Sequence, residues 1–267
     1  MNRKICIFAN ETSSSVNTVK KLIRKLDNVG FSVSEKFCED ADLLVVVGGD
    51  GTFIEAIHKF DFPKMPIIGI NTGHLGFFQE IMPDRLDDFI FNYTNDRYSV
   101  QTLSTVRIHI KADGREFSHT GLNEVVITGA SSYSVHLNIS IGDKFIERFS
   151  GDGLLISTPA GSTAYNYSLG GSIVDPRLNV LQVTPIAPMN TTAYRSFTSS
   201  ILLPSDLSLG AVPDVSARPS GIRIVYDGYS CEYDNVEEMT VSFSDIKVHL
   251  MRFESYDFWR KVKSKFL

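Results

Sequence analysis

The sequence predicts an N-terminal open α/β sheet domain and a β-rich C-terminal domain, with a ligand cleft between them. Three observations carry that expectation. Strand and helix signals alternate over roughly the first hundred residues, the pattern of a parallel sheet covered by helices. An apolar, β-branched run from Leu43 to Val47 ends in glycines, as expected of a strand buried on both faces. After Tyr98 the apolar period shortens to two, with turn residues between the runs, the mark of short antiparallel strands.

Taken in order, Lys4 to Phe8 reads as a short first strand. Thr12 to Ser15 offer N-caps to a helix. On it Val16, Val19, Leu22, Ile23, Leu26 and Val29 recur at helical spacing before Gly30, a residue suited to ending helices. Phe31 to Phe37 is a candidate second strand, Leu43 to Val47 is the buried one, and a helix is expected from near Thr52. Ile67-Ile68-Gly69-Ile70 resembles another buried strand. In the second half, Val106 to Ile110 alternates and Asp113-Gly114 offers a hairpin turn. Val135 to Ile141 alternates before Gly142-Asp143, and Ile222 to Tyr226, Val241 to Phe243 and Ile246 to Met251 add strands. A short helix from Tyr256 to Phe266 carries Phe258, Trp259, Val262 and Phe266. The expected division is 1–98 as an α/β domain and 99–254 as a β-rich domain, with 255–267 packing back on the first. The basic run Arg260-Lys261-Val262-Lys263 reads as a solvated helix face.

At 267 residues, 43% hydrophobic and 21% charged, the chain can bury a core without metal or disulfide staples. A net charge of -5 argues against a general nucleic-acid binder, which presents a basic surface. It leaves room for an anionic small ligand held by backbone amides. Cys6, Cys38 and Cys231 are odd in number and lack Cys-x-x-Cys spacing, which reads as reduced thiols in a reducing compartment. No apolar run approaches a membrane span, and the N-terminus turns polar at Asn10-Glu11, too soon for a signal peptide. A cytoplasmic protein without membrane or nucleic-acid partners is expected.

Gly48-Gly49-Asp50-Gly51-Thr52 directly follows the apolar strand. Glycines let backbone amides and a helix N-terminus approach a phosphate closely. The pattern is neither Walker A nor G-x-G-x-x-G, because no Lys-Ser/Thr follows the last glycine and the spacing differs. Asp50 would repel a phosphate, so it makes sense there if it accepts or orients the proton of a hydroxyl attacking phosphorus. The same residues also suit a tight turn in which Asp50 caps the next helix.

Asn123 and Glu124 stand at the front of the apolar run Val125-Val126-Ile127. An amide can pair with a base edge and a carboxylate can accept from ribose hydroxyls; the pair can equally be a solvated turn. From Gly151-Asp152-Gly153 an apolar strand leads into Thr158-Pro159-Ala160-Gly161-Ser162-Thr163-Ala164-Tyr165-Asn166-Tyr167-Ser168. That stretch offers aromatic faces to a base and short polar groups to a sugar-phosphate, or it is a polar surface loop. The six histidines are scattered, and His74 is the one singled out for function because it lies in a glycine-rich segment.

In this order, the three segments resemble the NAD kinase family, part of the superfamily that includes diacylglycerol kinases and 6-phosphofructokinases. The Gly-Gly-Asp-Gly loop is shared across the superfamily; Thr163-Ala164-Tyr165-Asn166 with Asn123-Glu124 is more specific. Asn71-Thr72-Gly73-His74-Leu75-Gly76-Phe77 also resembles a family segment, and the likeness extends from residue 48 to Phe258-Trp259-Arg260. The resemblance implies Asp50 as the catalytic base or hydroxyl-orienting group, with Gly48, Gly49, Gly51 and Thr52 around the nucleotide. It implies that Asn123 and Glu124 hold the adenosine end of NAD. Thr163, Ala164, Tyr165, Asn166, Tyr167 and Ser168 would join them there, and Asp152 and Ala187 would contact the nucleotide from the β-rich side. Two positions depart from the family pattern: Ala160 stands where Thr is usual, and Ser150 where many members carry Arg or Lys.

The implied reaction moves a phosphoryl group from ATP, or another donor such as polyphosphate, to the adenosine 2′-hydroxyl of NAD, making NADP. Mg²⁺ or another divalent cation would arrive with the nucleotide, since no side-chain cluster has metal-site spacing. A homo-oligomer, tetramer or dimer, is implied in the same way. Two other readings stay open: a lipid or sugar kinase using the same loop, and a non-catalytic NAD(P)-binding sensor.

Overall fold

The computed structural model describes residues 3–74, 76–192, 195–214 and 221–267, so Leu75 of the second glycine segment lies outside the described residues. The chain divides into two compact units, Met1–Leu103 with Lys247–Leu267, and Ser104–Ile246.

The first unit opens with β1 (Lys4–Ala9), α1 (Ser13–Asn28), β2 (Ser32–Ser34) and β3 (Leu43–Gly48). It continues with α2 (Asp50–Lys59), β4 (Ile67–Asn71), β5 (Gln79–Ile81) and α3 (Leu86–Thr94). β1 pairs in parallel with β2 on one side and β3 on the other; β3 then pairs with β4, and β4 with β5. β3 and β4 are buried along their whole length, which is why they read as unbroken apolar runs. α1 starts at Thr12, whose hydroxyl accepts from the Ser15 amide at 3.3 Å. Gly30, with φ at +79°, supplies the left-handed residue that ends it. Its Val19, Leu22 and Leu26 join Val45, Val47, Ile68, Ile70, Phe89 and Tyr93 in one core. Each such side chain stabilises the fold by about 1.5–3 kcal/mol when fully buried, so the apolar stripe holds the helix more than its intrinsic propensity does.

The strand order β2-β1-β3-β4 positions the site. After β1 the chain turns to one side, and after β2 it crosses to the other. Loops leaving the carboxyl ends of β1 and β3 therefore diverge and open the crevice in which α/β sheets hold ligands. Asn10 leaves β1 there and the glycine turn leaves β3. Asn10 Nδ2 donates to Thr52 Oγ1 at 3.0 Å, which ties the two loops together.

The chain passes onward along β6 (Ser99–Ala112), followed by β7 (Arg115–Gly121), β8 (Glu124–Gly129), β9 (Val135–Ile141), β10 (Lys144–Gly151) and β11 (Gly153–Ser157). A short 3-10 turn, Ala160–Thr163, and α4 (Tyr165–Ser168) precede β12 (Val180–Ile186), β13 (Ile201–Pro204) and β14 (Leu209–Pro213). β15 (Ile222–Tyr226), β16 (Tyr229–Tyr233) and β17 (Val236–Arg252) complete the strands, and α5 (Phe258–Phe266) belongs to the first unit. The second unit has two antiparallel layers. One runs β13-β12-β11-β8-β15-β16; the other runs β10-β9-β14-β17, with β6 on β17 and β7 on β6. Alternate residues such as Val106, Ile108 and Ile110, or Leu137 and Ile139, share one core with Val125, Ile127, Leu154 and Ile156. That is the period-two burial of a sandwich. The expected hairpin turn at Asp113-Gly114 forms, and a second forms at Gly142-Asp143, with positive φ at all four residues, as such turns require.

Some elements differ from expectation. α2 starts at Asp50, two residues before Thr52, and the second strand shrinks to Ser32–Ser34. The two stretches near the C-terminus form the single strand β17, because the intervening Ser244 is buried in the pleat. Among the described residues no helix is long and apolar enough to cross a membrane.

Candidate active site

Gly48 ends β3 and Gly49 is the N-cap of α2, with no side-chain cap bond. The three glycines have different reasons to be glycine. A Cβ on Gly48 would collide with the Thr52 side chain, whereas one on Gly49 or Gly51 would meet nothing within 4 Å. Space is therefore kept open over the turn, next to the N-terminal amides of α2, where anions are favoured.

Asp50 is the first residue of α2, but its carboxylate does not cap that helix. Oδ2 accepts from the Phe77 amide and Oδ1 from the Phe78 amide, both at 3.0 Å. Lys265 Nζ lies 3.7 Å from Oδ2, and the Asp50 side chain keeps 28% of its surface exposed. The loop that supplies the amides is anchored on several sides. Phe78 stacks on Phe53 at 4.7 Å, and Phe77 packs on Phe258 and Phe266 of α5 at 5.8 and 5.9 Å. The Thr72 amide donates to Gly48 O, and Ser15 and Thr72 share a hydroxyl bond at 2.7 Å. Gly76 is forced to be small: a Cβ there would overlap Gln79 Oε1 and Asp50 Oδ1. Gln79 is buried with neither end of its amide bonded. His74, by contrast, is exposed.

Sequence reasoning missed the cations behind this loop. Arg252 pairs with Glu80 at 3.1 Å, with only 6% and 4% of the two side chains exposed. Of the basic run expected to be solvated, Arg260 and Lys263 are exposed, but Lys261 turns inward and donates to Phe77 O at 3.1 Å and to Gln79 O. Burial first, then the Arg252 charge, pulls its pKa down to about 8. A solvated-face reading fails because α5 buries Phe258 and Val262, and position 261, three residues after Phe258, shares the face of Phe258.

In the second unit, Asn123 and Glu124 are buried where β8 begins. The carboxylate of Asp227, in the hairpin turn between β15 and β16, accepts from the amides of Leu122, Asn123 and Glu124 at 2.5, 2.8 and 3.3 Å. Asp227-Gly228 is readable as a turn, but nothing in the sequence says which chain segment its carboxylate grips. From the other side Thr158 accompanies the pair, with its amide on Asn123 O at 2.8 Å and its hydroxyl on Leu122 O at 2.7 Å. A Cβ on Gly161 would overlap Asn123 O, so the Pro-Ala-Gly turn sits against the Asn-Glu pair. Asn123 Oδ1 and Glu124 Oε2 have no hydrogen-bond partner, the condition in which an added donor is worth most. Burial first, then repulsion from Asp227, raises the Glu124 carboxyl to about 8.

Of the stretch that follows, Thr163 is buried, Ala164 half-buried, and Tyr165, Tyr167 and Ser168 exposed. Asn166 is fully buried and used internally: its Nδ2 donates to Ser162 O and Ser172 O, and its Oδ1 accepts from Thr184. It braces the loop. Asp152 and Ala187 are brought together at the other end of β11, where Gly153 pairs with Ile186, while Ser157 pairs with Glu124. At about 3.3 Å per residue the two ends lie roughly 15 Å apart, so a single chain does not gather all the expected nucleotide residues at one point. Ala187 has φ at 43°, a strained value for a residue with a Cβ. Of the two departures, Ser150 is buried with its backbone bonded to the Ser196 hydroxyl at 2.9 and 3.1 Å, and Ala160 opens the 3-10 turn. Among the described residues, no group of three or more His, Cys, Asp or Glu side chains is placed to hold a metal ion.

Comparison with known proteins gives a consistent result. The ATP-NAD kinase N-terminal domain family matches residues 5–98 and the ATP-NAD kinase C-terminal domain family matches residues 122–253. The chain is 38% identical to the NAD kinase of Finegoldia magna over 271 residues, covering 100% of this chain and 99% of the relative. It is 34% identical to NAD kinase 1 of Oceanobacillus iheyensis, with 100% and 98% covered. Among solved structures it resembles yeast NADH kinase complexed with NADH, at a TM-score of 0.85 and 21% identity, over 99% of this chain and 87% of the other. It also resembles an NAD kinase from Archaeoglobus fulgidus in complex with ATP, at a TM-score of 0.76 and 21% identity, with 98% of each covered. At 21% identity these two structures speak for the fold.

Proposed function

The chain belongs to the NAD kinase family, and on that premise we propose how its residues divide the work. The reaction is phosphoryl transfer to the adenosine 2′-hydroxyl of NAD, giving NADP. In this reading ATP is the donor, and its phosphates lie over the Gly49-Asp50-Gly51 turn, against the N-terminal amides of α2. Asp50 takes the 2′-hydroxyl proton as the ribose oxygen bonds to the terminal phosphorus. The bond from that phosphorus to its bridging oxygen breaks, and the electron pair leaves on ADP. Asn123 Oδ1 accepts from the amine of the adenine edge, and Glu124 meets the ribose hydroxyls. Thr163, Ala164, Tyr165 and Ser168 complete the adenosine contact. A divalent cation would arrive with the triphosphate and would supply charge neutralisation there. A cytoplasmic location and a homo-oligomer of two or four subunits belong to the same proposal.

The observation that carries this reading is the carboxylate of Asp50. Two backbone amides hold it beside an open glycine turn and away from its own helix. An ionised carboxylate offers about four lone-pair sites, so two stay available for a hydroxyl. Turnover of NAD and ATP, scored by an NADP-specific dehydrogenase, tests it. Asp50→Asn is expected to lower kcat by about 10²–10⁴-fold while nucleotide binding, followed by calorimetry, persists. Near wild-type turnover would end the assignment. Offering lipid and sugar hydroxyls as acceptors in parallel separates the related kinases, for which NAD would be inert.

A further inference from the structure

The Phe78 amide that binds Asp50 belongs to the same peptide group as the Phe77 carbonyl. On that carbonyl oxygen sits Lys261 Nζ at 3.1 Å, with Arg252 at 3.5 Å. One planar peptide therefore carries a cation at its oxygen and the Asp50 carboxylate at its N–H. A positive charge on the oxygen draws density along the conjugated amide and strengthens its N–H as a donor. It also fixes the peptide plane, because rotation would break both contacts together.

Structural duty alone does not account for this lysine. The nearby Glu80 is already engaged, one oxygen with Arg252 at 3.1 Å and the other with the Phe253 amide at 3.3 Å. Lys261 is left with two main-chain carbonyls, Phe77 O and Gln79 O. A sheltered ammonium beside a guanidinium is an expensive way to brace a loop, since an apolar side chain of similar volume would usually do as well. The charged groups around it are Arg252, Glu80, Asp50 and Lys265, with the Tyr256 ring 5.3 Å away.

We propose that Lys261 is a positioning residue for phosphoryl transfer, setting the place and orientation of the Asp50 carboxylate through the Phe77–Phe78 peptide. The proposal rests on the reading of Asp50 as the group that meets the ribose hydroxyl; Lys261 itself touches no substrate. Near pH 8 the ammonium gives up its proton, the amide donor weakens, and turnover falls on the alkaline side.

Two substitutions in the full-length enzyme test this, assayed by NADP formation from pH 6 to 9.5 with a thermal melt of each variant. Lys261→Met keeps the stem and removes the charge; it is expected to lower kcat by about 10- to 100-fold with KM for NAD changed by less than about twofold. Lys261→Arg keeps the charge at all these pH values and is expected to abolish the alkaline decline. Wild-type kcat and pH profile in Lys261→Met would overturn the proposal, as would an unchanged alkaline decline in Lys261→Arg. Should the Met variant fail to fold, the Arg profile alone decides. Asp50→Asn in the same series separates the two levels. If it retains full turnover, the reading of Asp50 fails and takes this proposal with it. If it is inactive while Lys261→Met matches wild type, only the role of Lys261 is lost.

Discussion

Replacing Glu124 with Gln gives a test whose size follows from the structure. Glu124 is 9% exposed, and its carboxyl is raised from 4.5 to about 8 by burial and then by Asp227. A group whose folded pKa lies above its unfolded value stabilises the fold fully below the unfolded value. That stability is lost as pH rises toward the folded one, so the window here is from 4.5 to about 8. At about 1.4 kcal/mol per tenfold change, the full loss is roughly 5 kcal/mol at the most. Water drawn toward the new charge reduces it, and about 2–4 kcal/mol is expected. Gln has the same shape and does not titrate. Urea unfolding of both proteins at pH 5 and pH 8.5 should therefore show Glu124→Gln gaining about 2–4 kcal/mol on wild type across the interval. Parallel stability curves would refute the reasoning: Glu124 would then be ionised in the folded protein throughout, with a partner or solvent the structure does not give it.

Two further substitutions probe the supports of the site. Asp227→Ala releases three amides that now donate to one carboxylate. It is expected to cost about 2–4 kcal/mol and to raise KM for NAD at least several-fold, as read by denaturation and initial rates; unchanged KM would show that the Asn123-Glu124 turn holds its shape unaided. The same variant should bring the Glu124 carboxyl down, because the repulsion from Asp227 is gone. Gly76→Ala places a Cβ against Asp50 Oδ1 and Gln79 Oε1. It should lower kcat by about 100-fold at a stability cost of about 1–3 kcal/mol, and wild-type kcat would mean that the carboxylate can move without penalty.

The fold was legible wherever burial imposes a period. Leu43 to Val47 and Ile67 to Ile70 read correctly because a parallel strand covered on both faces has no polar positions to confuse it. Val135 to Ile141 read correctly because one face meets the core. α3 went unread although Leu86, Phe89, Ile90 and Tyr93 keep helical spacing and are all buried. Its N-cap, Arg85, makes no side-chain bond to a helix amide, and no glycine closes it, so the usual punctuation is missing. In the site, the motif residues stood out by local composition, whereas their supports did not. Asp227 acts on residues 103 to 105 positions earlier, and Lys261 on carbonyls 182 and 184 positions earlier. A charge at such separation looks like any surface charge until the chain is folded, which is why the run around Lys261 read as solvated.

The glycine turn has two readings that composition leaves open, and its geometry supports one of them. A plain tight turn with Asp50 as helix cap would need the carboxylate on an amide of α2, and it would need each glycine for its backbone angles or for internal packing. Neither holds. The cap position is Gly49, with no side-chain bond, and the carboxylate is bound by a loop 27 and 28 residues further on. Only Gly48 is required by a neighbour; Gly49 and Gly51 have no positive φ and open space where a Cβ would go. With no internal demand for a bare backbone, those two glycines support the reading in which a ligand approaches closely from outside, beside amides and a helix terminus that favour an anion. A carboxylate held at that place by main-chain donors can face a phosphate productively when a hydroxyl lies between them, giving up its proton as it bonds to phosphorus.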